Sequence, residues 1–475
     1  MTSQRWVICS LLFFATTINY LDRQVLSLTW EDFIRPEFHW TNSHYGWVTG
    51  IFSLVYAVAM LFAGRIVDKL DTKRGYMWSI GIWSVGACVH ALCGVATEWI
   101  VDLPDAEALR AVVDNAALVS KIALVSLTFF IIARCILAVG EAGNFPAAIK
   151  ATAEYFPKKD RAYATSIFNA GSTIGALLAP FTIPVLAQHF GWEAAFIIIG
   201  ALGFIWMGFW QFLYKKPEQN LLVNAAELEY INSDSDEEAA AAVKAAKEAA
   251  TAPKVSLWKC FSFRQTWAFI SGKAIADGVW WFYLFWMPSY LKNACGMSST
   301  SFEFQLALGV LYLIVMVSLV GGYLPTIFIE KFKMNPYAGR MRAMLIFAFF
   351  PLLALLAQPL SQYSYWFPVV IVGIAAAAHQ SWSANIFSTV GDMFPKSMIA
   401  TITGIGGMAG GIGSFGIQLG AGQLFDYAEQ SGLSFMGYEG IEAGYMIAFS
   451  FCAVAYLASW LAMKAFVPKY KPIVL

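Results

Sequence analysis

An acid and a base stand side by side in the first apolar stretch of this chain, at Asp22 and Arg23. An ionisable group in hydrocarbon costs about 3 kcal/mol, so each one needs a partner, a water-filled cavity or a function. Neighbours on a helix lie about 100° apart, so these two side chains should face different partners. They form either a buried charge network or part of a ligand site. Arg23 suits a ligand site because a guanidinium binds a carboxylate through two parallel hydrogen bonds.

Arg134 and Glu141 are seven residues apart in the fourth apolar stretch, which puts them on nearly one helix face. Gly143 and Pro146 should loosen the helix just beyond them. Burial favours a protonated carboxyl group and nearby cations favour an ionised one, a balance that suits Glu141 to the uptake and release of protons. For Arg134, an ion pair that locks its helix to another span is the alternative to a functional role.

The seventh stretch contains Lys273 and Asp277, whose spacing of four residues lets them pair on a helix. Lys273 is a candidate for anion binding, and the alternative is that it only pairs with Asp277. Trp281 either forms a wall for a ligand, since an indole face packs against the C–H surface of a sugar, or packs helices together. Trp286 and Tyr290 lie near the outer end and are expected in the interfacial aromatic belt.

The tenth stretch carries neutral hydrogen-bonding groups at Gln380, Ser381, Ser383 and Asn385. They suit a ligand with several hydroxyls, and hydrogen bonding between helices is the alternative. The five histidines lack ligand spacing, and the seven cysteines include no close C-x-x-C pair. Neither a metal site, a disulfide framework nor a cofactor is therefore expected. No nucleophile and base constellation indicates an enzyme.

The elements that position these residues are predicted to cross a membrane. Hydrophobic residues make up 59% and charged residues 13% of the chain, against roughly 45–50% and 25% in soluble domains. About 20 residues cross the hydrocarbon core. We therefore predict an all-α membrane protein with twelve transmembrane helices, near residues 6–29, 45–65, 75–97, 121–148, 162–187, 192–214, 266–290, 303–329, 343–360, 364–390, 397–424 and 443–466.

A short phrase occurs twice in the chain, as EYFPK at 154–158 and as DMFPK at 392–396. Gly175 and Gly413 follow the two prolines at the same distance and should allow close helix contacts. The repeat predicts two pseudo-symmetric six-helix bundles, at 1–214 and 264–475, with a substrate site where they face each other. Between them, 215–263 is predicted to be a cytoplasmic linker with an Ala-rich surface helix.

The distribution of lysine and arginine predicts the orientation. If both termini are cytoplasmic, most of the 31 basic residues lie on the inner side, as expected for a multi-pass membrane protein. Arg35, Arg110, Lys121 and Lys292 then lie outside. An acidic insertion at 98–120 also lies outside, and its sequence indicates no role.

The connection at 64–75 is rich in acids and bases, namely Asp68, Lys69, Lys73 and Arg74. Such charges at a helix end can form a latch between domains. This loop resembles the signature loop of the major facilitator superfamily, with Asp71 where that pattern commonly has glycine.

Four further phrases resemble the anion:cation symporter family of that superfamily, especially its hexuronate transporters. The phrases are NYLDRQ at 19–24, GEAGNFP at 140–146, WFYLFW at 281–286 and Q-x-W-S-A-N at 380–385. The resemblance covers nearly the whole chain, apart from 98–120 and the middle of the central loop.

The resemblance implies alternating access and proton-driven uptake of a sugar acid, such as glucuronate or galacturonate, across the cell inner membrane. It makes Asp22 and Glu141 the proton-coupling acids, and Arg23 the group that holds the substrate carboxylate. The other cavity residues would be Tyr20, Tyr56, Gln380 and Asn385, with Lys273 and Trp281 as further candidates. The gate and latch candidates are Asp68, Lys69, Lys73, Arg74 and Arg134.

The expected partners are a small carboxylate, protons and the lipid bilayer, without nucleic acid, and such a fold usually works as a monomer. Another organic anion, such as galactonate, glucarate or a phenolic acid, is the main alternative substrate. A channel is disfavoured by the repeat and the buried charges. A membrane sensor that binds without transport is disfavoured because the sequence offers no output domain.

Overall fold

A computed structural model describes residues 3–233, 256–318 and 323–473 of the chain. Long helices dominate both halves. The bounds in the first half are α1 (Gln4–Thr29), α2 (Arg35–Phe38), α3 (Asn42–Leu70), α4 (Thr72–His90), α5 (Cys93–Val101), α6 (Ala106–Ala111), α7 (Ala116–Glu141), α8 (Asn144–Tyr155), α9 (Lys158–Phe190), α10 (Trp192–Leu213) and α11 (Ala225–Ile231).

The second half continues the helical architecture and adds one small hairpin. Its elements are α12 (Leu257–Cys260), α13 (Arg264–Asn293), α14 (Phe302–Val315), α15 (Leu324–Glu330), α16 (Pro336–Phe349), α17 (Ala357–Ser361), α18 (Trp366–Met393), α19 (Lys396–Ser431), β1 (Ser434–Phe435), β2 (Tyr438–Glu439) and α20 (Gly440–Phe466). The two strands pair antiparallel, Ser434 with Glu439 and Phe435 with Tyr438. Short π and 3₁₀ segments occupy Trp30–Ile34, Pro217–Gln219 and Phe350–Leu356.

Seven helical segments within the described ranges are long and apolar enough by themselves to cross a membrane. An eighth is the pair α4 and α5, which is bent by 45°. The other predicted spans have features that lower their apolar character or interrupt them. Buried charges lie in α1 and α13, glycines are frequent in α19, and 319–322 between α14 and α15 lie outside the described residues. At 26, 30 and 36 residues, α1, α13 and α19 are still long enough to span.

The fourth predicted span is broken where the sequence indicated. The α7 helix ends at Glu141 and α8 begins at Asn144, so the break falls at Ala142 and Gly143. Gly143 lies directly against the Ser79 side chain, which leaves no room for a side chain of its own. Glu141 therefore stands at the end of a helix, beside the interruption.

Glycines bring helices into contact at both copies of the repeat, as predicted. Gly175 lies against the Thr17 backbone in α1, and Gly413 lies against the Ala274 backbone in α13. The long contact between the two halves runs along α3 and α19, where Gly46 approaches the Gln418 carbonyl.

The prediction for Trp286 and Tyr290 was wrong. Both are buried inside the protein, with exposed fractions of 0% and 1%, rather than in an interfacial belt. The Trp286 indole N–H donates to Gln418 Oε1 at 2.7 Å, and its ring packs edge-on against Trp30 and Tyr45. Position along the predicted span was a poor guide here, because Trp286 packs against rings of the other half and Tyr290 packs against Tyr445 and Phe449 of α20.

The bounds predicted for the two bundles and the linker remain a prediction. The predicted Ala-rich surface helix falls largely within 234–255, outside the described residues. Before it, the described part of the linker includes α11, whose Glu227 carboxylate accepts hydrogen bonds from the Gln4 and Arg5 backbone at the start of α1.

Candidate functional site

Arg23 lies at the centre of an aromatic cage to which both halves contribute. Its guanidinium carbon is 4.9 Å from the ring centroids of Tyr20, Tyr56 and Trp281, and 5.7 Å from that of Phe52. Tyr20 comes from α1, Phe52 and Tyr56 come from α3, and Trp281 comes from α13. Guanidinium is attracted to aromatic faces, and the attraction strengthens where water is excluded. The cage thus fixes one cation where the two halves meet.

Glu141 is the ionic partner of Arg23. Its Oε2 accepts from Arg23 Nε at 2.9 Å and from Nη2 at 2.6 Å. Both side chains are buried, and Glu141 Oε1 has no hydrogen-bond partner within the described ranges. If one partner of a buried ion pair loses its charge, the charge that remains is strongly disfavoured. Arg23 and Glu141 therefore constrain each other's charge.

Asp22 and Arg134 are buried beside this pair. Neither the Asp22 carboxylate nor the Arg134 guanidinium has a hydrogen-bond partner among the described residues, although the two groups lie within electrostatic range of each other. The guanidinium carbon of Arg134 is 5.3 Å from the centroid of the Phe52 ring. The four charges Asp22, Arg23, Arg134 and Glu141 form one buried cluster, here called the charge cluster.

The position of Arg134 separates it from the other gate and latch candidates. It contacts Phe52, which precedes Asp68 on α3 by 16 residues, or about 24 Å along the helix. Asp68 pairs instead with Lys150 at 3.1 Å, and Lys73 Nζ donates to the Gln211 carbonyl at 2.7 Å. Lys69 and Arg74 are exposed.

Asp71 shows why its loop pattern commonly has glycine. Its φ is 70°, a backbone conformation that costs residues with a Cβ free energy and that glycine adopts readily. Asp71 also ion-pairs with Lys216 at 3.5 Å.

The other cation of the predicted site is paired on its own helix. Lys273 Nζ lies 2.6 Å from Asp277 Oδ2, as the spacing predicted, and 4.2 Å from the Phe387 ring centroid. Lys273 precedes Trp281 by eight residues, about 12 Å along α13. It therefore lies well displaced from the Arg23 cage.

The polar residues of α18 differ in their surroundings. Asn385 is buried, and its amide donates to the Ser381 carbonyl at 2.8 Å. Gln380 is partly exposed and makes no hydrogen bond within the described part of the chain. His379 Nδ1 lies 2.9 Å from the Tyr456 hydroxyl, and its ring stacks on Trp280.

Three residues of the site were not selected from the sequence. Phe52 contacts both arginines, and its spacing of four residues from Tyr56 on α3 was an available signal. Gln24 Nε2 donates to the Tyr312 hydroxyl at 2.9 Å and so joins the two halves next to Arg23. Nothing in the local sequence pointed to Tyr312.

The comparisons agree with this architecture. The Major Facilitator Superfamily model matches residues 12–417. A "Hexuronate transporter" of Escherichia coli (strain K12) is 26% identical over 427 residues, which cover 89% of this chain and 88% of that protein. A "Galacturonate transporter" of Dickeya chrysanthemi is 26% identical over 71% of this chain and 86% of its own length. The "Probable galactarate/D-glucarate transporter GarP" of Escherichia coli (strain K12) is 26% identical over 62% and 61%.

Solved structures show the same fold over the full length. A bacterial homologue of the human lysosomal transporter Spinster, in an inward-facing and unoccupied conformation, superposes with a TM-score of 0.69 at 17% identity, covering 100% of both chains. A D-xylose-proton symporter superposes with a TM-score of 0.65 at 14% identity, again over 100% of both. The predicted fold, an all-α membrane protein with two six-helix bundles, is confirmed. The chain belongs to the major facilitator superfamily.

Proposed function

We propose that this protein is a proton-coupled symporter of a hexuronate, such as glucuronate or galacturonate, or of a similar sugar acid. It works by alternating access as a monomer in the cell inner membrane, with both termini cytoplasmic. The observation that carries the proposal is Arg23, a buried guanidinium caged by rings from both halves and paired with a carboxylate. The similarity to hexuronate and galacturonate transporters supports the substrate class.

In the proposed mechanism, the substrate carboxylate replaces Glu141 as the partner of Arg23. A guanidinium binds either carboxylate in the same way, so the two compete. A proton on Glu141 weakens its hold on Arg23 and frees the guanidinium for the substrate. The proton also offsets the negative charge of the incoming anion, which lowers the cost of enclosing it in a medium of low dielectric constant.

Asp22 is the second proposed proton site. Its carboxylate accepts no hydrogen bond from the described residues, so the positive charge of Arg134 is its main stabilisation in the ionised state. When Arg23 exchanges Glu141 for the substrate, the charge balance of the whole charge cluster changes. Proton uptake by Asp22 would then follow from electrostatic coupling without direct contact with the substrate.

The remaining side chains are proposed to hold the sugar. Trp281 would pack against its C–H surface, and the hydroxyls of Tyr20 and Tyr56 lie on rings that already surround Arg23. Gln380 is the most available amide because no described residue accepts from it or donates to it. Asn385 and Lys273 are engaged on their own helices, so they would have to exchange those bonds to bind substrate.

A second candidate substrate is a sugar diacid such as glucarate. Lys273 offers a second cation on the opposite half, although Asp277 neutralises it, and one relative is named as a probable galactarate/D-glucarate transporter. Galactonate and phenolic acids carry only one carboxylate and would not use this second cation.

The test is uptake by purified protein in liposomes under an imposed inward proton gradient, with a panel of glucuronate, galacturonate, galactonate and glucarate. Accumulation of a hexuronate that collapses with a protonophore is expected. Arg23→Ala should lower uptake by about 100-fold or more, since two charge-assisted hydrogen bonds are lost. Arg342→Ala, an exposed arginine on α16, is the matched control and should transport normally.

Glu141→Gln separates binding from coupling. This variant should still bind and exchange substrate, because its amide leaves Arg23 free, but it should not accumulate substrate in response to a pH gradient. Normal pH-driven accumulation by Glu141→Gln would refute the proposed coupling. Absence of uptake of every panel member by the unmodified protein would refute the substrate class.

A further inference from the structure

Two apolar grooves flank Trp78 on the membrane-facing surface of the first half. The first has a volume of about 610 Å³ and runs along α4 from Arg74 to Val85, with Phe204 and Met207 of α10 on its far wall. The second, of about 360 Å³, lies on the α3 side of α4. Trp78 and Ile82 line both grooves, so the two are separated only by these side chains.

The grooves face lipid rather than the interior of the protein. Trp78 is 62% exposed, and Val85 and Phe204 are 47% and 42% exposed. The first groove extends over 12 residues of α4, or about 16 Å from the helix end toward the middle of the membrane. Its depth and direction suit an acyl chain that enters from the membrane–water boundary.

Cations cluster where the first groove reaches the helix end. Arg74 lines the groove and has no carboxylate within ion-pair distance in the described part of the chain. Lys73 lies next to it, with Nζ bonded to the Gln211 carbonyl at 2.7 Å, and Lys215 is within electrostatic range of Lys73. Lys216 is already paired with Asp71. The groove thus ends at an excess of positive charge.

We propose that this surface binds one anionic diacyl phospholipid, with a chain in each groove and its phosphate at Arg74. Two grooves that share Trp78 and Ile82, one lined by Arg74 and the other by its neighbour Gly75, match the two tails and single headgroup of such a lipid. Anionic headgroups are attracted to basic residues at the membrane surface, and a tightly held lipid would tie α4 to α3, α7 and α10. The proposal does not depend on which substrate the protein transports.

The test uses full-length protein reconstituted into vesicles of equimolar phosphatidylglycerol and phosphatidylcholine with identical chains. After mild solubilisation, native mass spectrometry counts the lipids that stay bound. One retained phosphatidylglycerol per protein is expected. Arg74→Ala should reduce the preference for phosphatidylglycerol by about tenfold, the effect of one lost charge-assisted contact. Gly81→Leu should reduce retention of both lipids, because its side chain would fill the first groove.

The controls match each substitution. Gly208→Leu adds the same side chain at an open, exposed position of α10, and Arg342→Ala removes an exposed arginine from the other half. Both should retain the lipid. Equal retention of the two lipids by the unmodified protein would overturn the proposal, as would equal losses in the control variants. Glycerol phosphate added in excess should not displace the lipid, and displacement would overturn the proposal because the phosphate alone would then be recognised.

Discussion

Asp22 and Arg134 compensate each other's charge although they share no hydrogen bond. Both are buried, and each lies within the electrostatic field of the other. Charges in a medium of low dielectric constant interact over longer distances than in water. Removal of one therefore leaves the charge cluster with an unbalanced net charge, whereas removal of both leaves the neutral Arg23–Glu141 pair.

We expect this compensation to appear as non-additive stability in a double-mutant cycle. Asp22→Asn and Arg134→Gln should each lower the unfolding temperature in detergent. The double variant should lose less stability than the two single variants lose together, with a coupling free energy of about 1–3 kcal/mol. The control cycle uses the pair of exposed Asp68 and partly exposed Lys150, for which a coupling of about 0–1 kcal/mol is expected. Additive losses at Asp22 and Arg134 would show that the two charges are independent.

Single residues of the site were predictable where their chemistry was unusual for a membrane helix. Arg23, Glu141 and Lys273 stood out because charge in hydrocarbon is costly, and the i,i+4 spacing gave the Lys273–Asp277 pair directly. The partner of Arg23 is 118 residues away in sequence, and no local pattern encodes such a contact. For the same reason the burial of Trp286 was missed, since it depends on α3 and α19.

The acidic insertion acquires a role at the level of elements. It forms the end of α5 and the short helix α6, from which Arg110 Nη2 donates to Glu37 Oε2 at 2.5 Å. The Trp192 indole N–H donates to the same oxygen at 3.2 Å, and His39 Nε2 lies 2.9 Å from the Leu109 carbonyl. The insertion therefore holds α2 in place and neutralises a carboxylate that is fully buried.

This contact should make stability depend on pH in a defined direction. Burial raises the pKa of Glu37, and the hydrogen bonds and charge of Arg110 only partly oppose it. The folded state thus holds the proton of the Glu37 carboxyl group more tightly than the unfolded chain does. In the unfolded chain the pKa of a glutamate is about 4.3. The stability from this group is fully present below that value and is lost as pH rises through the folded pKa.

Arg110→Ala should enlarge this effect. Without the Arg110 cation, the ionised Glu37 carboxylate should lower the free energy of unfolding by about 2 kcal/mol at pH 8. This is less than the loss typical of a broken, fully buried ion pair, because Arg110 is half exposed. Near pH 4 the difference from the unmodified protein should be small, because the carboxyl group is then protonated. Thermal unfolding across this pH range is the measurement. In a Glu37→Gln background the effect of Arg110→Ala should be small and independent of pH, and a pH-dependent loss there would assign the effect to another group.

Elements were predictable from apolar length, but their interruptions were predictable only where glycine and proline mark them, as near Gly143. The span near 75–97 is bent by 45° between α4 and α5, and the predicted span at 397–424 belongs to a helix that continues to Ser431. Hydropathy reports how much of a segment can lie in lipid. It does not report where a helix bends or how far it extends into water, because packing against other helices decides both.

At the scale of the whole molecule, the two halves are joined at the end that the predicted orientation puts outside, here called the outer end. Arg35 bridges Glu31 at 2.6 Å and Glu429 at 3.1 Å, and Lys292 ion-pairs with Asp32. No ion pair in the described ranges joins the halves at the opposite end. Within those ranges, the ion pairs between the two halves are therefore confined to the outer end.

Asp426 makes a further contact between the two halves at the outer end. Its two carboxylate oxygens accept from the backbone N–H groups of Asn42 at 2.7 Å and Ser43 at 2.8 Å. These donors belong to the first turn of α3, whose N–H groups have no partner within the helix. A side chain on α19 of one half therefore caps a helix of the other half, and opening the outer end would break the cap.

Asp426→Asn should shift the molecule toward opening at the outer end. The loss of a charged cap costs about 1 kcal/mol, or about fivefold in the equilibrium between the two arrangements. Electron–electron distance measurements between spin labels at Val113 and Phe302, both exposed near this end, should show a larger population at long distance. Asp392→Asn removes an acid that pairs with Arg340 within one half, so it should leave that distribution unchanged. If the two variants gave the same distribution, the ion pairs of Arg35 and Lys292 would be sufficient for closure, because they would hold the halves together without the cap.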